Sequence, residues 1–357
     1  MHVGLLIYGS LDTISGGFIY DRRLVSYLRR QGDRVEVIAL PWRSYGLSLL
    51  DNLDRGLRRR LDQAPFDLLL QDELVHPSCF RLNGREPRPY PLIAVVHHLR
   101  CREHRPAWQN RLYRLVEKRY LTSLDGFICV SRTTQKDVQA LMGRERPLVV
   151  ASPGRDGLPG AVTRDRIRIR ALAPEPLQII FVGNLIPRKE LHTLIAALTS
   201  LPRNDWRLTV AGSPDPDPAY ARAIRRQIQG AGLNSRVTLL GALPPGELAA
   251  RCEASHLLAV PSSYEGFGIV YLEGMHFGLP AIAGTDGAAR ELVHHGENGY
   301  LVPPGDAVTL ARYLKGLLED REILLRLALS AHHTAAAHPT WDDSAARSRA
   351  FLQTFLA

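Results

Sequence analysis

The feature that most constrains the fold is an alternation of apolar, strand-like runs with helical patterns. Val3 to Tyr8, Leu92 to Val96 and Gly126 to Val130 are apolar runs, and residues 105–122 between the last two have helical spacing. These runs lack the apolar/polar alternation of a half-exposed sheet, which indicates parallel strands covered on both faces. We therefore predict an α/β fold with a doubly wound, Rossmann-like sheet.

The same alternation begins again after an irregular segment, which predicts a second doubly wound domain. Residues 152–176 are rich in Pro, Gly and Arg, and Gln178 to Gly183 then opens a new series of strand-like runs. A chain of 357 residues is long enough for two cores. We predict domains at 1–165 and 175–338. Ligands of open α/β sheets bind at the carboxyl ends of the strands, so we expect the site in a cleft between the domains.

Composition excludes several classes of protein. The 45% hydrophobic and 23% charged residues are ordinary for a globular chain, and no apolar run approaches the roughly 20 residues of a membrane span. The first residues read as a strand rather than a signal segment, so we expect a cytoplasmic protein. Four scattered cysteines without C-x-x-C spacing predict neither a zinc site nor a disulfide framework.

A formal net charge of +9 predicts an anionic partner. Aromatic interleaving and helix-turn-helix patterns are missing from the sequence, which argues against nucleic acid. A phosphorylated substrate and an anionic membrane face remain. Residues 42–61 are rich in Leu and end in several Arg, and they predict an amphipathic helix. Such a helix would either rest on an anionic bilayer or pack its Leu face on the domain core.

Two carboxylates in the second half point to a specific chemistry. Glu265 and Glu273 flank the sequence Gly266-Phe267-Gly268, at what reads as the start of a helix. Glycine lets backbone amides approach a bound anion, and a helix N-terminus favours negative charge. The carboxylates can accept hydrogen bonds from sugar or ribose hydroxyls. Taken alone, two acids at this spacing are more often ordinary surface residues.

The surrounding residues change that balance. Glu265-x7-Glu273, preceded by Pro-Ser and followed by Gly278 to Ala283, resembles the signature of retaining glycosyltransferases of family 4, which have the GT-B fold. The resemblance implies two Rossmann-like domains, with an acceptor-binding domain first and a nucleotide-sugar domain second. It also implies that residues 339–357 cross back to the first domain. Glu265 would lie beside the donor sugar as a catalytic residue, Glu273 would bind the ribose, and the Gly-Phe-Gly amides would face the diphosphate.

Two cations complete the expected donor site. Arg188 and Lys189 follow the strand that ends at Gly183, where the family carries its phosphate-binding pair. They would offset charge on a leaving diphosphate without a metal ion. We expect Gly183 itself to belong to the donor-binding residues. Asp215 and Asp217 form a D-x-D triplet, but they lie in a proline-punctuated turn, so we predict no metal site there. Base recognition is expected near Leu243, largely through backbone groups.

The first domain contributes a glycine pair and two histidines. Gly16 and Gly17 lie at a helix start, where they would let the backbone approach a phosphate or the acceptor. His97 and His98 follow the strand Leu92 to Val96, where the family carries a histidine that touches the donor sugar. Either ring could donate a hydrogen bond in the transition state, and the sequence leaves the choice open.

The expected activity is that of a metal-independent, retaining hexosyltransferase. It would move a hexose from a nucleoside-diphosphate sugar to a hydroxyl of a saccharide or lipid-linked acceptor, with no cofactor and with a peripheral contact to the inner membrane face left open. Two alternatives also stay open. One is a nucleotide-sugar epimerase of the same architecture, and the other is a non-catalytic protein that binds nucleotide sugar or a partner transferase.

Overall fold

Two parallel sheets organise the molecule. The computed structural model describes residues 1–13, 15–84 and 87–356, and within them the chain divides into two compact units. Unit 1 contains residues 1–154 and 339–357, and unit 2 contains residues 155–338. Each unit has a six-stranded sheet in which every neighbouring pair of strands is parallel. The predicted α/β class with two doubly wound sheets is confirmed.

The sheet of unit 1 has the strand order β2-β1-β3-β4-β5-β6. Its strands are β1 His2–Tyr8, β2 Arg34–Leu40, β3 Leu68–Asp72, β4 Leu92–Val96, β5 Gly126–Cys129 and β6 Leu148–Val150. Its helices before the second sheet are α1 Gly16–Arg30, α2 Tyr45–Ser48, α3 Arg55–Asp62, α4 His76–Cys79, α5 Ala107–Thr122 and α6 Arg132–Met142. Every residue of β3, β4 and β5 is buried, as expected for strands covered on both faces.

The sheet of unit 2 has the strand order β12-β11-β10-β7-β8-β9. Its strands are β7 Leu177–Val182, β8 Trp206–Ala211, β9 Val237–Gly241, β10 Leu257–Val260, β11 Ala281–Gly284 and β12 Gly299–Val302. Its helices are α7 Arg164–Leu172, α8 Leu191–Thr199, α9 Pro218–Gly230, α10 Pro245–Glu253, α11 Ile269–His276, α12 Ala307–Glu319 and α13 Arg321–Ala337. Both orders reverse direction at an internal strand, which is where doubly wound sheets bind ligands.

The last helix, α14 Trp341–Gln353, packs within unit 1. A capping box formed by Thr340 and Asp343 starts it. Arg349 then pairs with Asp33 at 2.7 Å from Nε to Oδ2. Capping and the ion pair together fix this helix on the first unit.

The irregular boundary segment was predicted wrongly in one respect. Residues 164–172 form helix α7, which Thr163 caps by accepting a hydrogen bond from the Arg166 amide. Ile167 and Ala171, one turn apart, are its buried residues, and Ile167 packs against Ala328. Arginines at alternate positions hide this narrow apolar stripe in the sequence.

The amphipathic helix predicted over residues 42–61 is also wrong. The segment contains α2, a 3₁₀ turn at Leu49–Leu53 and the separate helix α3. Asp54 interrupts it because its carboxylate caps α3, accepting from Gly56 N at 2.7 Å and Leu57 N at 3.0 Å. Leu61 is buried, whereas Leu47, Leu50 and Leu53 are exposed. The Leu residues therefore do not share one buried face.

Candidate functional site

Glu265 lies in the loop between β10 and α11, at the centre of a cluster of charged side chains in unit 2. Its residue is only 7% exposed. Lys189 Nζ donates to Glu265 Oε1 at 2.6 Å, and Arg188 Nη1 lies 3.4 Å from Oε2. Both cations come from one 3₁₀ turn, Pro187–Lys189. Two cations thus face one carboxylate in this group, the Glu265 cluster.

The charge of Glu265 is fixed by its neighbours. Burial alone would raise the pKa of this carboxyl, but Lys189 and Arg188 outweigh burial and lower it to about 2. Burial lowers the pKa of Lys189, and the Glu265 carboxylate opposes that change. Glu265 is therefore ionised throughout the neutral range.

Hydrogen bonds to backbone groups hold the loop that carries Glu265 from two sides. The Arg188 guanidinium donates to the Tyr264 carbonyl at 2.6 Å, and Ser263 N donates to the Arg188 carbonyl at 2.9 Å. On the other side, Glu265 forms a parallel bridge with Gly287, and Ala288 N donates to the Glu265 carbonyl at 2.7 Å. The loops after β7, β10 and β11 thus meet at one residue.

The Gly-Phe-Gly sequence forms the entry to α11. Gly268 has a φ of +90° and stands at the N-cap position. A Cβ atom there would overlap the ring of Tyr271, so both conformation and space require glycine. Gly266 and Phe267 precede it directly. Glu273 lies in the second turn of α11 and is 8% exposed, so both predicted carboxylates are buried beside one helix start.

Gly183 and Leu243 differ in their relation to the Glu265 cluster. Gly183 follows β7, and a Cβ atom there would lie 3.3 Å from Lys189 Cε, so the glycine leaves room for the lysine side chain. Leu243 is half-buried in the loop between β9 and α10. Within the described ranges, no hydrogen bond or ion pair joins Leu243 to the cluster.

The acidic triplet serves local structure. Asp215 accepts a hydrogen bond from Ser213 Oγ at 2.8 Å. Asp217 caps α9 by accepting from Tyr220 N at 2.9 Å. Turn formation and helix capping therefore account for both carboxylates.

A second cluster of charged groups surrounds His97 in unit 1, just after β4. His97 Nε2 lies 3.4 Å from Asp21 Oδ1 and 4.0 Å from Asp72 Oδ2. Asp21 is in α1, and Asp72 ends β3. Gly16 and Gly17 open α1, and a Cβ atom on Gly17 would lie 3.1 Å from His97 Cδ2. Glycine thus allows the start of α1 to approach the imidazole in this His97 cluster.

The protonation of the His97 cluster is set by opposing effects. Burial lowers the pKa of His97, but Asp21 and Asp72 outweigh it and raise it to about 9. Burial and the negative charge of Asp21 raise the pKa of Asp72 well above its usual range. One ligand atom from each of the three residues lies within 4.8 Å of the others, so the group can share one cation, either a proton on the ring or a metal ion.

His98 has different surroundings. Its Nε2 lies 2.8 Å from Glu103 Oε1, and both side chains are partly exposed. The His97 and His98 amides both donate to Glu73 Oε2, at 2.9 and 3.3 Å. Glu73 therefore orders the end of β4, while the two rings face different acids.

Sequence reasoning did not find Asp21, Asp72, Glu73 or Gly287. Asp72 and Glu73 carried a usable signal, because they follow the apolar run of β3 just as His97 follows that of β4. Parallel strands end at the same edge of a sheet, so these residues could have been placed together. Asp21 lies inside a helical pattern and carries no such signal.

Comparisons with known proteins agree with this geometry. The family described as Glycosyl transferases group 1 matches residues 163–333, and Glycosyltransferase Family 4 matches residues 14–156. D-inositol 3-phosphate glycosyltransferase of Corynebacterium glutamicum is 30% identical over 299 residues, covering 77% of this chain and 70% of the relative. The chain belongs to the group 1 glycosyltransferases.

The match to a second relative of this glycosyltransferase spans a smaller share of that relative's length. It is the GDP-mannose-dependent alpha-(1-6)-phosphatidylinositol monomannoside mannosyltransferase of Mycobacterium tuberculosis. It is 28% identical over 67% of the chain, and the match spans 64% of that mannosyltransferase.

Solved structures support the GT-B fold of this glycosyltransferase. Sucrose-phosphate synthase from Thermosynechococcus elongatus superposes with a TM-score of 0.84 at 21% identity, over 99% of this chain and 98% of the other. HepE of Anabaena, solved in complex with UDP and glucose, gives a TM-score of 0.76 at 21% identity, over 99% and 100% of the two chains. Among the described residues, no helix is both long and apolar enough to span a membrane.

Proposed function

We propose that this glycosyltransferase moves a hexose from a nucleoside-diphosphate sugar to a hydroxyl of a saccharide or lipid-linked acceptor, with retention of the anomeric configuration. The observation that carries the proposal is the Glu265 cluster, a buried carboxylate between Lys189 and Arg188 at the start of α11. Its two cations suit a diphosphate, and its carboxylate suits sugar hydroxyls.

Each residue then has a role in donor binding. Lys189, Arg188 and the amides of Gly266 to Gly268 bind the diphosphate and stabilise charge as it leaves. Glu265 positions the sugar, and Glu273 accepts hydrogen bonds from the ribose. Gly183 gives Lys189 its space. The loop at Leu243 contributes backbone groups for the base.

The retaining course of the reaction is what the family resemblance implies. The acceptor oxygen bonds to the anomeric carbon on the face from which the phosphate departs, and the bond from that carbon to the phosphate oxygen breaks. The leaving phosphate takes the acceptor proton. No metal ion enters the scheme, because the two cations offset the charge of the diphosphate. We expect product formation to persist in EDTA.

The names of relatives suggest which donors to test first. One relative is named as GDP-mannose-dependent, and a structural neighbour was solved with UDP-glucose. The first experiment is therefore thermal stabilisation of the whole chain by UDP-glucose, GDP-mannose and ADP-glucose. A ligand that binds only the folded state raises the melting temperature with concentration. We expect one nucleotide class to stabilise the wild type and to lose its effect in Lys189→Ala and Glu273→Ala.

Two control variants test whether a loss of stabilisation by ligand is specific to the donor site. Lys315 and Glu297 are exposed charged residues of the same unit, and Lys315→Ala and Glu297→Ala should respond to ligand like the wild type. Failure of every nucleotide sugar to stabilise the wild type would contradict the donor site. Release of nucleotide with an epimerised sugar and no acceptor would favour the epimerase. Binding without turnover on any acceptor would favour the non-catalytic alternative.

We also propose that unit 1 contacts an anionic membrane through helix α5. Trp108, Leu112 and Leu115 are 67%, 44% and 69% exposed, and their spacing places them on one stripe of the helix. Arg111 and Arg114 are exposed beside that stripe. Apolar side chains flanked by cations are the composition that binds an anionic bilayer from its surface.

The segment of exposed leucines adjoins this helix. Tyr45 of α2 and Tyr113 of α5 pack with ring centroids 4.6 Å apart. Leu47, Leu50 and Leu53 follow Tyr45 and are more than half exposed. Apolar groups on both segments are thus available to a lipid surface.

Cosedimentation with vesicles tests this contact. Leu112→Glu and Leu115→Glu should abolish binding to phosphatidylglycerol vesicles, and Val308→Glu, at an exposed apolar position of unit 2, should not. Equal binding of wild type and Leu115→Glu, or binding to neutral phosphatidylcholine alone, would contradict an anionic membrane contact.

A further inference from the structure

Glu190 has a backbone conformation that most side chains avoid. Its φ is +58° and its ψ is +31°, which is the left-handed region. In the part of the chain that the structure describes, glycine occupies every other position with a positive φ. A Cβ atom makes this conformation unfavourable, and it persists where the surrounding structure holds it, often at functional sites. Glu190 directly follows Lys189 of the Glu265 cluster, so we examined what holds it there.

Glu190 joins the 3₁₀ turn that carries the two cations to helix α8. Its amide donates to the Pro187 carbonyl at 3.0 Å, which closes the turn. Its carbonyl accepts from the Thr193 and Leu194 amides at 3.1 and 3.2 Å, which starts the helix. The left-handed φ reverses the chain between these two sets of hydrogen bonds. The conformation of Glu190 therefore fixes the direction of the turn relative to α8.

The turn is also anchored to the loop after β10. Ser263 donates to the Arg188 carbonyl through its amide at 2.9 Å and through its hydroxyl at 3.3 Å. Held at Ser263 and at Glu190, the turn presents both of its cations to the Glu265 carboxylate. A change of backbone conformation at Glu190 would move Arg188 and Lys189 relative to that carboxylate.

The side chain of Glu190 is bound where it can hold this conformation. The residue is 9% exposed. Its carboxylate accepts a hydrogen bond from Thr193 Oγ1 in the first turn of α8 and lies 3.6 Å from His192 Nε2. A carboxylate beside a helix start also interacts favourably with the helix dipole. These contacts offset the unfavourable backbone of a residue that is not glycine.

We propose that Glu190 is a positioning residue for donor binding. Its left-handed backbone directs Lys189 and Arg188 toward Glu265. Its carboxylate stabilises that backbone through Thr193. This inference rests on the proposed transferase function, in which the two cations bind the diphosphate, and Glu190 acts through them without touching substrate. Substitutions at position 190 should therefore act according to how well they tolerate a positive φ.

The first test observes Lys189 by NMR on the full chain without any donor. The chain has four lysines, so ¹³C-lysine labelling gives few signals, and Lys189→Ala assigns the relevant one. Glu265→Gln shows where the Lys189 Cε signal lies when the ion pair is lost. Glu190→Val, whose branched side chain resists a positive φ, should move the signal toward that position. Glu190→Gly, which adopts a positive φ without strain, should leave it at the wild-type position.

Donor affinity gives the second readout. Calorimetry measures the dissociation constant of whichever of UDP-glucose, GDP-mannose and ADP-glucose stabilises the wild type. Glu190→Gly should bind this nucleotide sugar like the wild type, and Glu190→Val should weaken binding by about tenfold. Glu190→Ala keeps a Cβ atom and loses the contact with Thr193, so it should lie between them. Where Glu190→Val does not fold, Glu190→Ala takes its place in both readouts.

The matched control is Gly296→Val. Gly296 belongs to the same unit and has a φ of +80°, and a Cβ atom there would meet nothing within 4 Å. The valine should destabilise the chain by straining another left-handed position, yet leave both the Lys189 signal and donor affinity unchanged.

Two results would overturn the inference. One is a Lys189 signal that moves equally in Glu190→Gly and Glu190→Val, or in neither. The other is a loss of donor affinity in Gly296→Val as large as that in Glu190→Val, since strain anywhere in the unit would then suffice. Failure of every nucleotide sugar to bind the wild type would contradict the proposed function, and the lysine signal would still decide the role of Glu190.

Discussion

The two charged clusters balance buried carboxylates in different ways. In the Glu265 cluster one carboxylate faces two cations, Lys189 and Arg188. In the His97 cluster two aspartates face one imidazole. The first therefore has a charge that does not change near neutral pH, and the second has a charge that depends on one proton. A fixed charge suits the proposed binding of a diphosphate.

The largest expected effect comes from removing the carboxylate of the Glu265 cluster. Glu265→Gln removes the buried acid that faces two partly buried cations, which should cost about 3 kcal/mol of unfolding free energy. Nucleotide-sugar turnover should fall by about 10²–10³-fold. Asp21→Asn should destabilise the chain less, because His97 can relieve its charge by losing a proton. Urea unfolding at pH 7 compares the two variants.

Equal losses of stability in Glu265→Gln and Asp21→Asn would contradict this difference between the clusters. Glu297→Gln, at an exposed position of unit 2, is the control for a general effect of replacing Glu by Gln.

The backbone anchor of Glu265 should give the next largest effect. Gly287 has a φ of +80°, and a Cβ atom there would overlap the Glu265 carbonyl oxygen. Gly296 also has a φ of +80°, but a Cβ atom there would meet nothing within 4 Å. Both alanine variants carry a strain of about 1 kcal/mol, and Gly287→Ala adds roughly 1–3 kcal/mol of overlap.

Donor affinity separates the two glycine variants further. Gly287→Ala should weaken donor binding because it displaces Glu265, whereas Gly296→Ala should bind like the wild type. Isothermal titration measures both. Similar affinities would mean that the loop after β11 does not hold the cluster in place.

How much of the fold could be predicted from the sequence depended on whether each element leaves a clear local pattern of apolar residues. The parallel strands were predicted correctly because buried parallel strands appear as continuous apolar runs such as β4 and β10. The GT-B fold was implied by the family resemblance and is also confirmed. Helix α7 was missed because its buried stripe is only Ile167 and Ala171 among arginines. The segment 42–61 was misjudged because Asp54 ends one helical pattern and caps the next.

The site residues were predicted, or missed, for the same reason. Glu265, Arg188 and Lys189 were named because each belongs to a short motif, although their roles as a binding site stay a prediction. The contact between Asp21 and His97 could not be predicted from the sequence, because it joins a residue inside a helical pattern to a strand end. Contacts made between elements leave no local pattern in the sequence.

Acid conditions should weaken the Glu265 cluster. The pKa of Glu265 falls from a usual 4.5 to about 2 in the folded chain, so its stabilising effect is complete above pH 4.5 and is lost as the pH falls toward 2. The difference in melting temperature between wild type and Glu265→Gln should narrow from pH 5 to pH 3. A constant difference would show that folding does not lower the pKa of Glu265.

Alkaline conditions should weaken the His97 cluster, and this is the smallest of the expected effects. The pKa of His97 rises from a usual 6.5 to about 9, so its contribution is complete below pH 6.5 and is lost as the pH rises through 9. The difference in melting temperature between wild type and His97→Gln should therefore narrow between pH 6.5 and 9.5. A difference that widens over this range would contradict a charged His97.

The most direct test of the account is the pH dependence of donor affinity. The dissociation constant of the stabilising nucleotide sugar is measured by calorimetry from pH 5.5 to 9 for wild type, Lys189→Ala and Asp21→Asn. The account predicts a constant affinity across this range for wild type and Asp21→Asn, and loss of binding in Lys189→Ala. An affinity that follows the titration of His97, or that survives in Lys189→Ala, would contradict the assignment of donor binding to the fixed-charge cluster.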